Sequence, residues 1–405
     1  MQIEILPSTA RGSVVAPPSK SMAHRLLICA GLCNGLSRIS GIAPSQDVLA
    51  TLDCLSAIGA TYRYEGNTVE MQGIDPSRVS VKETLACREC GSTLRFFIPI
   101  ALLCEKEVTL TGSTRLMERP LGVYDEMCRA HGLPFRQKNG CVTVKGKLQS
   151  GIYELAGDVS SQFISGLLFV LPLLEGDSEI RLTGKVESRS YIDLTVRALA
   201  LFGVSVEWKN DRTIAIAGGQ RYCSKITEVE GDYSNSAFFE AINKIGGAIV
   251  VDGLSKESLQ GDRVYASYFE ELQKGMPTLS LANCPDLGPV LMAVAAANHG
   301  AVFTDTARLK IKESDRGAAM ARELAKLGGK VQLEENTIRV LPSALHAPTE
   351  LLDGHNDHRI VMALSVLLTK LGGRIDGAEA VAKSMPDFFE RLQDLGVKIK
   401  RYDTE

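Results

Sequence analysis

The 405-residue sequence has no hydrophobic run long enough to span a membrane. Its longest strongly apolar stretch, residues 163–174, is well short of the roughly 18–20 residues that a transmembrane helix needs. The sequence also lacks an excess of charge of one sign, because 45 Lys and Arg stand against 48 Asp and Glu, a net charge of −3. This balance disfavours a dedicated nucleic-acid-binding protein. We therefore expect neither a membrane nor a nucleic acid as a partner.

The N-terminus lacks the basic region and the long apolar core of a secretory signal. Residues 1–7, MQIEILP, instead indicate the start of a β-strand. Hydrophobic residues make up 45% of the chain and charged residues 23%, values typical of a soluble globular protein. We expect a cytoplasmic protein of two or three domains.

The sequence lacks a second CxxC motif that could complete a zinc site. Cys87 and Cys90 form the one CxxC pair, and no histidine lies at ligand spacing from it. A redox pair or half of a zinc site are alternatives, but the other cysteines lie mostly in apolar helical patterns typical of reduced thiols. We interpret the pair as two unlinked thiols, and we expect neither a metal site nor a cofactor.

One unit recurs six times along the chain: an amphipathic helix, a glycine, a short strand, a turn and a second β-branched strand. The glycines that end these helices are Gly59, Gly132, Gly203, Gly275, Gly328 and Gly396. Most are about 70 residues apart, too long a period for a solenoid. The fourth unit is degenerate and the sixth is cut short. Six units predict an α/β protein of two pseudo-threefold domains, with a break near residues 223–231.

Four predicted helices begin with cations, although the dipole of a helix favours acidic residues in its first turn. The cations are Lys20 with Arg25, Arg95, Arg316, and His358 with Arg359. Any single case is explained equally well by a side chain that reaches solvent. Four cases together predict a site for an anion, because free backbone N–H groups and fixed charges then meet the same ligand. We expect a small, highly anionic substrate.

Six motifs follow one another along nearly the whole chain. They are PSKS at 18–21 with Arg25, CGSTLR at 90–95, ERP at 118–120, IKESDR at 311–316, NDHR at 356–359 and KSMPD at 383–387. This ordered set resembles the EPSP synthase family, the 3-phosphoshikimate 1-carboxyvinyltransferases. The resemblance implies transfer of the enolpyruvyl group of phosphoenolpyruvate to the 5-hydroxyl of shikimate 3-phosphate, with release of phosphate, in chorismate and aromatic amino-acid biosynthesis. It also implies inhibition by glyphosate.

The resemblance implies a fold that agrees with the repeat. The family has two domains of three βαβαββ units each, an inside-out α/β barrel, joined by a two-strand hinge. On this chain the domains would be residues 20–224, and residues 1–19 with 225–405. The active site would be the interdomain cleft, and residues 13–19 and 223–230 would form the hinge. We expect a monomer that needs no cofactor.

Site residues follow from the resemblance, position by position. Shikimate 3-phosphate would be bound by Lys20, Ser21, Arg25, Ser160, Ser161, Gln162, Ser188, Asp286 and Lys312. Phosphoenolpyruvate would be bound by Lys20, Gly91, Arg119, Gln162, Arg316, Arg359 and Lys383. The chain departs from the family where Asn is often found, with Glu89 before the glycine-rich turn and Arg308 before the KE motif.

Addition followed by elimination requires groups that move protons. We assign Asp286 to the 5-hydroxyl and Glu313 to the methylene carbon, with Lys20 assisting and stabilising the departing phosphate. Structural alternatives remain for each carboxylate: a salt bridge for Glu313 and a helix cap for Asp286. Residues 160–162 have an alternative too, a plain N-cap before the apolar helix that follows.

Two other functions compete with this one. UDP-N-acetylglucosamine enolpyruvyl transferase shares the fold and the donor, but that family pairs its early Lys with Asn and uses a loop Cys. Here Ser21 follows Lys20, and the loop near Arg119 has no Cys. A noncatalytic anion-binding protein of the same fold is the second alternative. The presence of Lys20 together with Asp286 and Glu313 argues against it.

Overall fold

The computed structural model describes residues 1–81 and 84–402. The strands are β1 (Gln2–Leu6), β2 (Arg11–Val15), β3 (Leu36–Ser40), β4 (Thr61–Glu65), β5 (Thr68–Gln72), β6 (Leu85–Ala86), β7 (Val108–Thr111), β8 (Phe135–Lys138), β9 (Cys141–Val144), β10 (Ile152–Ala156), β11 (Ser178–Thr183), β12 (Glu207–Asn210), β13 (Thr213–Ile216), β14 (Ile226–Glu228), β15 (Ala248–Asp252), β16 (Thr278–Ser280), β17 (Ala301–Thr304), β18 (Lys330–Leu333), β19 (Thr337–Leu341), β20 (Leu352–Asp353), β21 (Gly373–Asp376) and β22 (Lys398–Tyr402).

The α-helices are α1 (Lys20–Gly31), α2 (Gln46–Ala57), α3 (Gly91–Ala101), α4 (Thr114–Met117), α5 (Gly122–Ala130), α6 (Ser161–Leu168), α7 (Arg189–Leu201), α8 (Tyr233–Asn243), α9 (Tyr265–Lys274), α10 (Gly288–Ala297), α11 (Arg316–Lys326), α12 (His358–Leu371) and α13 (Phe388–Asp394). Short 3₁₀ segments are Pro76–Arg78, Leu171–Leu173, Gly261–Val264, Pro285–Leu287, Ala307–Ile311 and Ala378–Lys383. No helix among the described residues is both long and apolar enough to cross a membrane.

The chain divides into two compact units. The first unit is Lys20–Glu230, and it contains three four-stranded sheets. Their strand orders are β14, β3, β5, β4; β6, β7, β9, β8; and β10, β11, β13, β12. In each sheet the first two strands are parallel and the other neighbours are antiparallel. The first unit therefore consists of three copies of one strand pattern.

The second unit is formed by Met1–Ser19 and the chain from Gly231 onward. Two of its sheets, with orders β20, β21, β1, β22 and β16, β17, β19, β18, repeat the same parallel and antiparallel pattern. The third is a parallel pair of β15 and β2. The predicted mixed α/β class is confirmed, and the smallest sheet lies in the fourth unit of the repeat, which the sequence predicted to be degenerate.

Each of the six repeat glycines follows a helix directly, as predicted. They come one or two residues after α2, α5, α7, α9, α11 and α13. Five have positive φ angles, for example 81° at Gly203 and 89° at Gly396. A left-handed residue just after a helix lets the chain turn away, and glycine adopts it without strain. Gly275 instead has extended backbone, with φ of 170°.

The boundary between the units differs from the predicted one. We assigned residues 225–230 to the second domain, but strand β14 pairs with β3, with Ile226 opposite Arg38. The backbone N–H of Val229 then donates to the carbonyl of Ser40 at 3.0 Å. These ladder bonds hold residues 225–230 in the first unit, so its end moves from 224 to 230.

Apolar helices fill the centre of each unit. In the first unit α3 and α6 are buried on nearly all sides, and Phe96 packs edge-on against Phe169. In the second unit α10 and α12 are similarly buried. A helix that is apolar all round belongs in a core. The predicted site residues Gly91, Gln162 and Arg359 lie at the N-terminal ends of α3, α6 and α12.

We expect Gly73→Ala to destabilise the first unit by about 1–3 kcal/mol, the range for overpacking. A Cβ at Gly73 would lie 2.2 Å from the carbonyl oxygen of Ala30 and 2.3 Å from that of Cys33. Both carbonyls are at the end of α1 and have little freedom to move. The measurement is the urea concentration at the midpoint of unfolding.

The matched control is Gly122→Ala, at the first residue of α5, where an added Cβ would have no atom within 4 Å. Its midpoint should stay unchanged or rise slightly, because Ala favours a helix over Gly. Equal midpoints for the two variants would contradict the steric argument.

Candidate active site

Lys20 begins α1, a helix with no acidic residue in its first turn. Its Nζ lies 2.6 Å from Oδ2 of Asp47, in the first turn of α2. The carboxylate offsets the cost of placing a cation at a helix N-terminus. Lys20 is therefore held in one position, with its side chain 16% exposed.

Arg25 is almost completely buried one turn further along α1. Its Nε donates to Oγ1 of Thr195 at 2.8 Å, Nη1 to the carbonyl of Ser21 at 2.6 Å, and Nη2 to the carbonyl of Tyr191 at 2.9 Å. Burial lowers the pKa of Arg25 to about 10, so it still carries its charge at neutral pH. Since these three acceptors are neutral, they orient the guanidinium without neutralising it.

Two further guanidinium groups meet at the N-terminus of α3. A Cβ on Gly91 would lie 2.5 Å from Nη1 of Arg119 and 3.0 Å from Nη1 of Arg95. Both arginines are buried. The absence of a side chain at Gly91 lets these cations approach the backbone N–H groups of the helix, a combination suited to an anion.

Gln162 links α6 to α3. Its amide oxygen accepts a hydrogen bond from Arg95 at 2.8 Å, and its amide nitrogen donates to Oγ of Ser92 at 2.8 Å. Ser160 is the N-cap of α6, where its Oγ accepts from the backbone N–H of Gln162. The N-cap interpretation of this segment is thus confirmed, and Ser161 is buried beside it.

Ser188 precedes α7 in the left-handed region, with φ of 54° and ψ of 40°. Non-glycine residues adopt this conformation rarely, so its presence indicates a local constraint. Ser188 is 2% exposed. Together with Lys20, Arg25, Gly91, Arg119 and Gln162, it belongs to the first unit.

In the second unit a buried arginine joins three carboxylates. Nε of Arg316 donates to Oδ2 of Asp357 at 2.9 Å, Nη1 to Oδ1 of Asp286 at 2.7 Å, and Nη2 to Oε2 of Glu313 at 2.7 Å. Lys312 contacts the same oxygen of Asp286 at 3.1 Å. We call these five residues the carboxylate cluster.

The carboxylate cluster shifts the pKa values of its members. Burial alone would raise the pKa of Asp286, but Lys312, Arg316 and Arg359 hold it well below its usual value. Burial lowers the pKa of Lys312, an effect that Asp286 opposes. For Arg316 burial is outweighed by Asp357 and Glu313, which raise its pKa. Without a ligand, Asp286 therefore carries its negative charge at neutral pH.

The two structural alternatives for the carboxylates have different outcomes. Glu313 does form the ion pair with Arg316, so the salt-bridge interpretation is confirmed. Asp286 does not cap a helix, because Cys284 is the N-cap residue of the 3₁₀ segment and the Asp286 carboxylate faces Lys312 and Arg316.

Arg359 lies in the first turn of α12, with its guanidinium 5.6 Å from the ring centre of Phe238. It is 3% exposed, and its Nε and Nη1 have no hydrogen-bond partner among the described residues. Buried guanidinium nitrogens normally have acceptors. Lys383 donates to the carbonyl of Asn356 at 2.6 Å, two residues before α12. These cations indicate a second place for an anion.

Arg308, one departure from the family pattern, is buried and donates from Nη2 to the carbonyl of Ala282. Its side chain is therefore bound to the backbone of its own unit. Glu89, the other departure, is half-buried directly before Cys90.

Three important residues were missing from the predicted site. Asp47 and Asp357 hold Lys20 and Arg316, and Arg95 orients Gln162. Asp357 was recognisable as an N-cap before α12, which it is. The pairing of Asp47 with Lys20 had no local signal, because 27 residues separate them.

Comparison with known proteins gives one consistent result. Residues 6–392 match the family model of EPSP synthase, 3-phosphoshikimate 1-carboxyvinyltransferase. Relatives named 3-phosphoshikimate 1-carboxyvinyltransferase include one from Clostridium kluyveri, 38% identical over 99% of this chain and 98% of its own length. Another, from Clostridium beijerinckii, is 39% identical over 97% of each chain.

Solved structures show the same fold. The EPSP synthase from Acinetobacter baumannii superposes with a TM-score of 0.79 at 22% sequence identity, over 98% of this chain and 99% of that one. The enolpyruvyl transferase NikO from Streptomyces tendae gives a TM-score of 0.78 at 14% identity, over 98% of each chain.

We expect Arg316→Gln to lower the free energy of unfolding by about 3–5 kcal/mol at neutral pH, because it leaves buried carboxylates without their cation. The difference from the wild type should narrow as the pH falls below about 4. The sign follows from Asp286: its lowered pKa stabilises the folded protein above the unfolded-state pKa, and this stabilisation is lost on acidification. Urea unfolding at several pH values measures both effects.

Arg322→Gln provides the control, since Arg322 is exposed on the same helix. Its unfolding should differ from the wild type by less than about 0.5 kcal/mol. If both variants lost a similar free energy of unfolding, the effect of Arg316→Gln could not be attributed to the carboxylate cluster.

Proposed function

The chain belongs to the EPSP synthase family, the 3-phosphoshikimate 1-carboxyvinyltransferases, and from this premise we propose how its residues carry out the reaction. The enzyme transfers the enolpyruvyl group of phosphoenolpyruvate to the 5-hydroxyl of shikimate 3-phosphate and releases phosphate. The observation that carries the residue assignment is the set of buried cations gathered at helix N-termini in both units. The UDP-sugar alternative is not favoured by the family match.

We propose that residues of both units act on the same pair of substrates, in two pseudo-threefold domains of three βαβαββ units. Five of the six sheets have one strand pattern, which supports the repeat. We retain the interdomain cleft, the two-strand hinge, the monomeric state and the cytoplasmic location as part of this proposal.

The two substrates bring about six negative charges, close to two for each phosphate monoester at neutral pH. We assign the phosphate of shikimate 3-phosphate to the N-terminus of α6, with Ser160, Ser161 and Gln162. Arg25 would bind the ring substrate with a charge that its neutral partners leave uncompensated. Ser21, Ser188 and Lys312 complete the proposed set.

Phosphoenolpyruvate would occupy a place bounded by Gly91 and Arg119 in the first unit and by Arg316, Arg359 and Lys383 in the second. The unpartnered nitrogens of Arg359 leave donors for the oxygens of an anion. Arg119 would bind the phosphate that leaves.

In the addition step the 5-hydroxyl oxygen bonds to C2 of phosphoenolpyruvate. Asp286 accepts the hydroxyl proton, and Glu313 donates a proton to the methylene carbon, which becomes a methyl group. In the elimination step Glu313 recovers a proton from that methyl group, and phosphate leaves with the help of Lys20 and takes up the proton held by Asp286. The protons balance over the cycle, as general acid and base catalysis requires.

Asp286 is a weak base in the ligand-free carboxylate cluster, because its pKa lies well below the usual value. Bound phosphate and carboxylate groups would oppose Lys312, Arg316 and Arg359, and so raise the pKa of Asp286. Substrate binding would then create the base that the reaction needs.

The test is phosphate release by purified protein from phosphoenolpyruvate, with no added metal or nucleotide. We expect release only when shikimate 3-phosphate is present, and none with UDP-N-acetylglucosamine. Lys20→Ala and Glu313→Gln should each reduce turnover at least ~10²-fold, the loss typical of an acid–base group.

Both variants should keep the wild-type circular dichroism spectrum, because each side chain is partly exposed. Lys310→Ala is the control for removing a nearby charge: its Nζ contacts the backbone of Glu335 at an exposed position. Near-normal turnover in Lys20→Ala or Glu313→Gln would overturn that residue's role.

We expect glyphosate to compete with phosphoenolpyruvate, and Gly91→Ala to weaken the inhibitor more than the donor. The added methyl group would meet Nη1 of Arg119 at 2.5 Å and displace it from its place beside α3. The inhibition constant for glyphosate and the KM for phosphoenolpyruvate should be measured together. If the inhibition constant and the KM changed by the same factor, glyphosate would not bind beside Gly91.

A further inference from the structure

A second set of reactive side chains includes Asp47, the ion-pair partner of Lys20. His24, Asp47 and Cys90 each present a ligand atom, and these atoms lie within 4.8 Å of one another. They come from α1, from α2 and from the N-cap position of α3, and all three are buried. Histidine, cysteine and aspartate are the side chains that bind zinc in proteins. The reaction proposed above uses none of the three directly.

Hydrogen bonds orient His24 for such a role. Its Nδ1 lies 2.7 Å from Oγ1 of Thr51, which in turn lies 2.8 Å from Oγ1 of Thr93. If Thr51 accepts from Nδ1 and donates to Thr93, the lone pair of the imidazole is on Nε2. That nitrogen faces Sγ of Cys90 at 3.9 Å. Metal-binding histidines are typically fixed in this manner through the other ring nitrogen.

We propose that His24, Asp47 and Cys90 form a binding site for a thiophilic divalent cation such as Zn²⁺, which competes with Lys20 for the carboxylate of Asp47. The site is built by parts of the chain that the CxxC spacing does not reveal, since Cys87 takes no part in it. This inference does not depend on the proposed reaction, because the site is defined by its own ligands.

The distance between the imidazole and the thiol suits a tetrahedral ion. Zn–N bonds of about 2.0–2.1 Å and Zn–S bonds of about 2.3 Å place the two ligand atoms about 3.6 Å apart. The distance from Nε2 of His24 to Sγ of Cys90 is 3.9 Å, so a small contraction is sufficient for this pair, and a carboxylate oxygen of Asp47 lies within 4.8 Å of both atoms. A water molecule would supply the fourth ligand.

Charge also suits the exchange. At present Asp47 and Lys20 form a neutral pair at 2.6 Å. A divalent ion bound to the Asp47 carboxylate and to a Cys90 thiolate is neutral as well, with the thiol proton released to solvent and His24 neutral. Lys20 would then turn outward, which its 16% exposed side chain allows. The ion enters along the path that Lys20 leaves.

The experiment is a titration of the full-length protein with Co²⁺, a spectroscopic substitute for Zn²⁺, in a Cys141→Ser/Cys223→Ser background. This background removes the half-buried and the exposed cysteine. We expect a sulfur-to-cobalt charge-transfer band that saturates at one ion per chain and that Zn²⁺ abolishes by displacement.

Cys90→Ser is the diagnostic variant, because serine is a good N-cap residue and should preserve α3. It should lose the band and bind Zn²⁺ at least ~10-fold more weakly, since even the loss of an outer-shell partner costs 10-fold to 100-fold. Cys87→Ser is the matched control, and its band and its Zn²⁺ affinity should match the background.

Two results would overturn the inference: no charge-transfer band at millimolar Co²⁺, or a band that persists in Cys90→Ser. Should His24→Gln fold normally and leave the band and the affinity unchanged, the histidine would be excluded as a ligand and the proposed site would be wrong. Inhibition of turnover by Zn²⁺ is measured separately from the cobalt spectrum. If the proposed reaction were wrong, the cobalt spectrum would therefore still test the metal site.

Discussion

The structure depends on cations that are buried at the N-terminal ends of helices. Each such cation opposes the helix dipole, at a cost of about 0.3–1 kcal/mol, and also loses hydration. The two units offset this cost differently. In the second unit Arg316 is surrounded by three carboxylates, whereas in the first unit Arg25 donates to three neutral oxygens. Around Arg316 the carboxylates compensate the positive charge. Around Arg25 the neutral oxygens leave the positive charge uncompensated, which suits the binding of an anion.

This difference connects binding to chemistry. An anion that approaches Arg359 would find guanidinium nitrogens without protein acceptors, so it would break no protein hydrogen bond at Nε or Nη1. In the proposed reaction the same anion would weaken the influence of Lys312 and Arg316 on Asp286, and the pKa of Asp286 would rise. Asp286 would then become a stronger base only when the anionic substrate is bound. An enzyme built in this way avoids proton transfer in the absence of substrate.

Features that are encoded locally were predictable from the sequence. The helices beginning at Lys20, Arg316 and His358 start where their N-terminal residues indicated, and a glycine follows each of the six repeat helices, whereas α3 begins at Gly91, four residues before the predicted Arg95. Features that depend on contacts through space were not. Asp47 meets Lys20 across 27 residues, and Cys90 meets His24 across 66. The domain boundary also moved to 230, because pairing of β14 with β3 is a property of the folded sheet.

Asp47 is a buried carboxylate, and its burial determines which group can lie beside it. Because it is 7% exposed, it requires a cation, and Lys20 supplies one at a helix N-terminus that would otherwise repel it. A carboxylate that holds one cation by charge alone does not distinguish it from another. The neighbours of Asp47 decide which other cation can compete, and here they are an imidazole nitrogen and a thiol, ligands that favour soft divalent ions over Mg²⁺ or Ca²⁺. The contact that positions Lys20 is therefore also the one through which a metal ion would displace it.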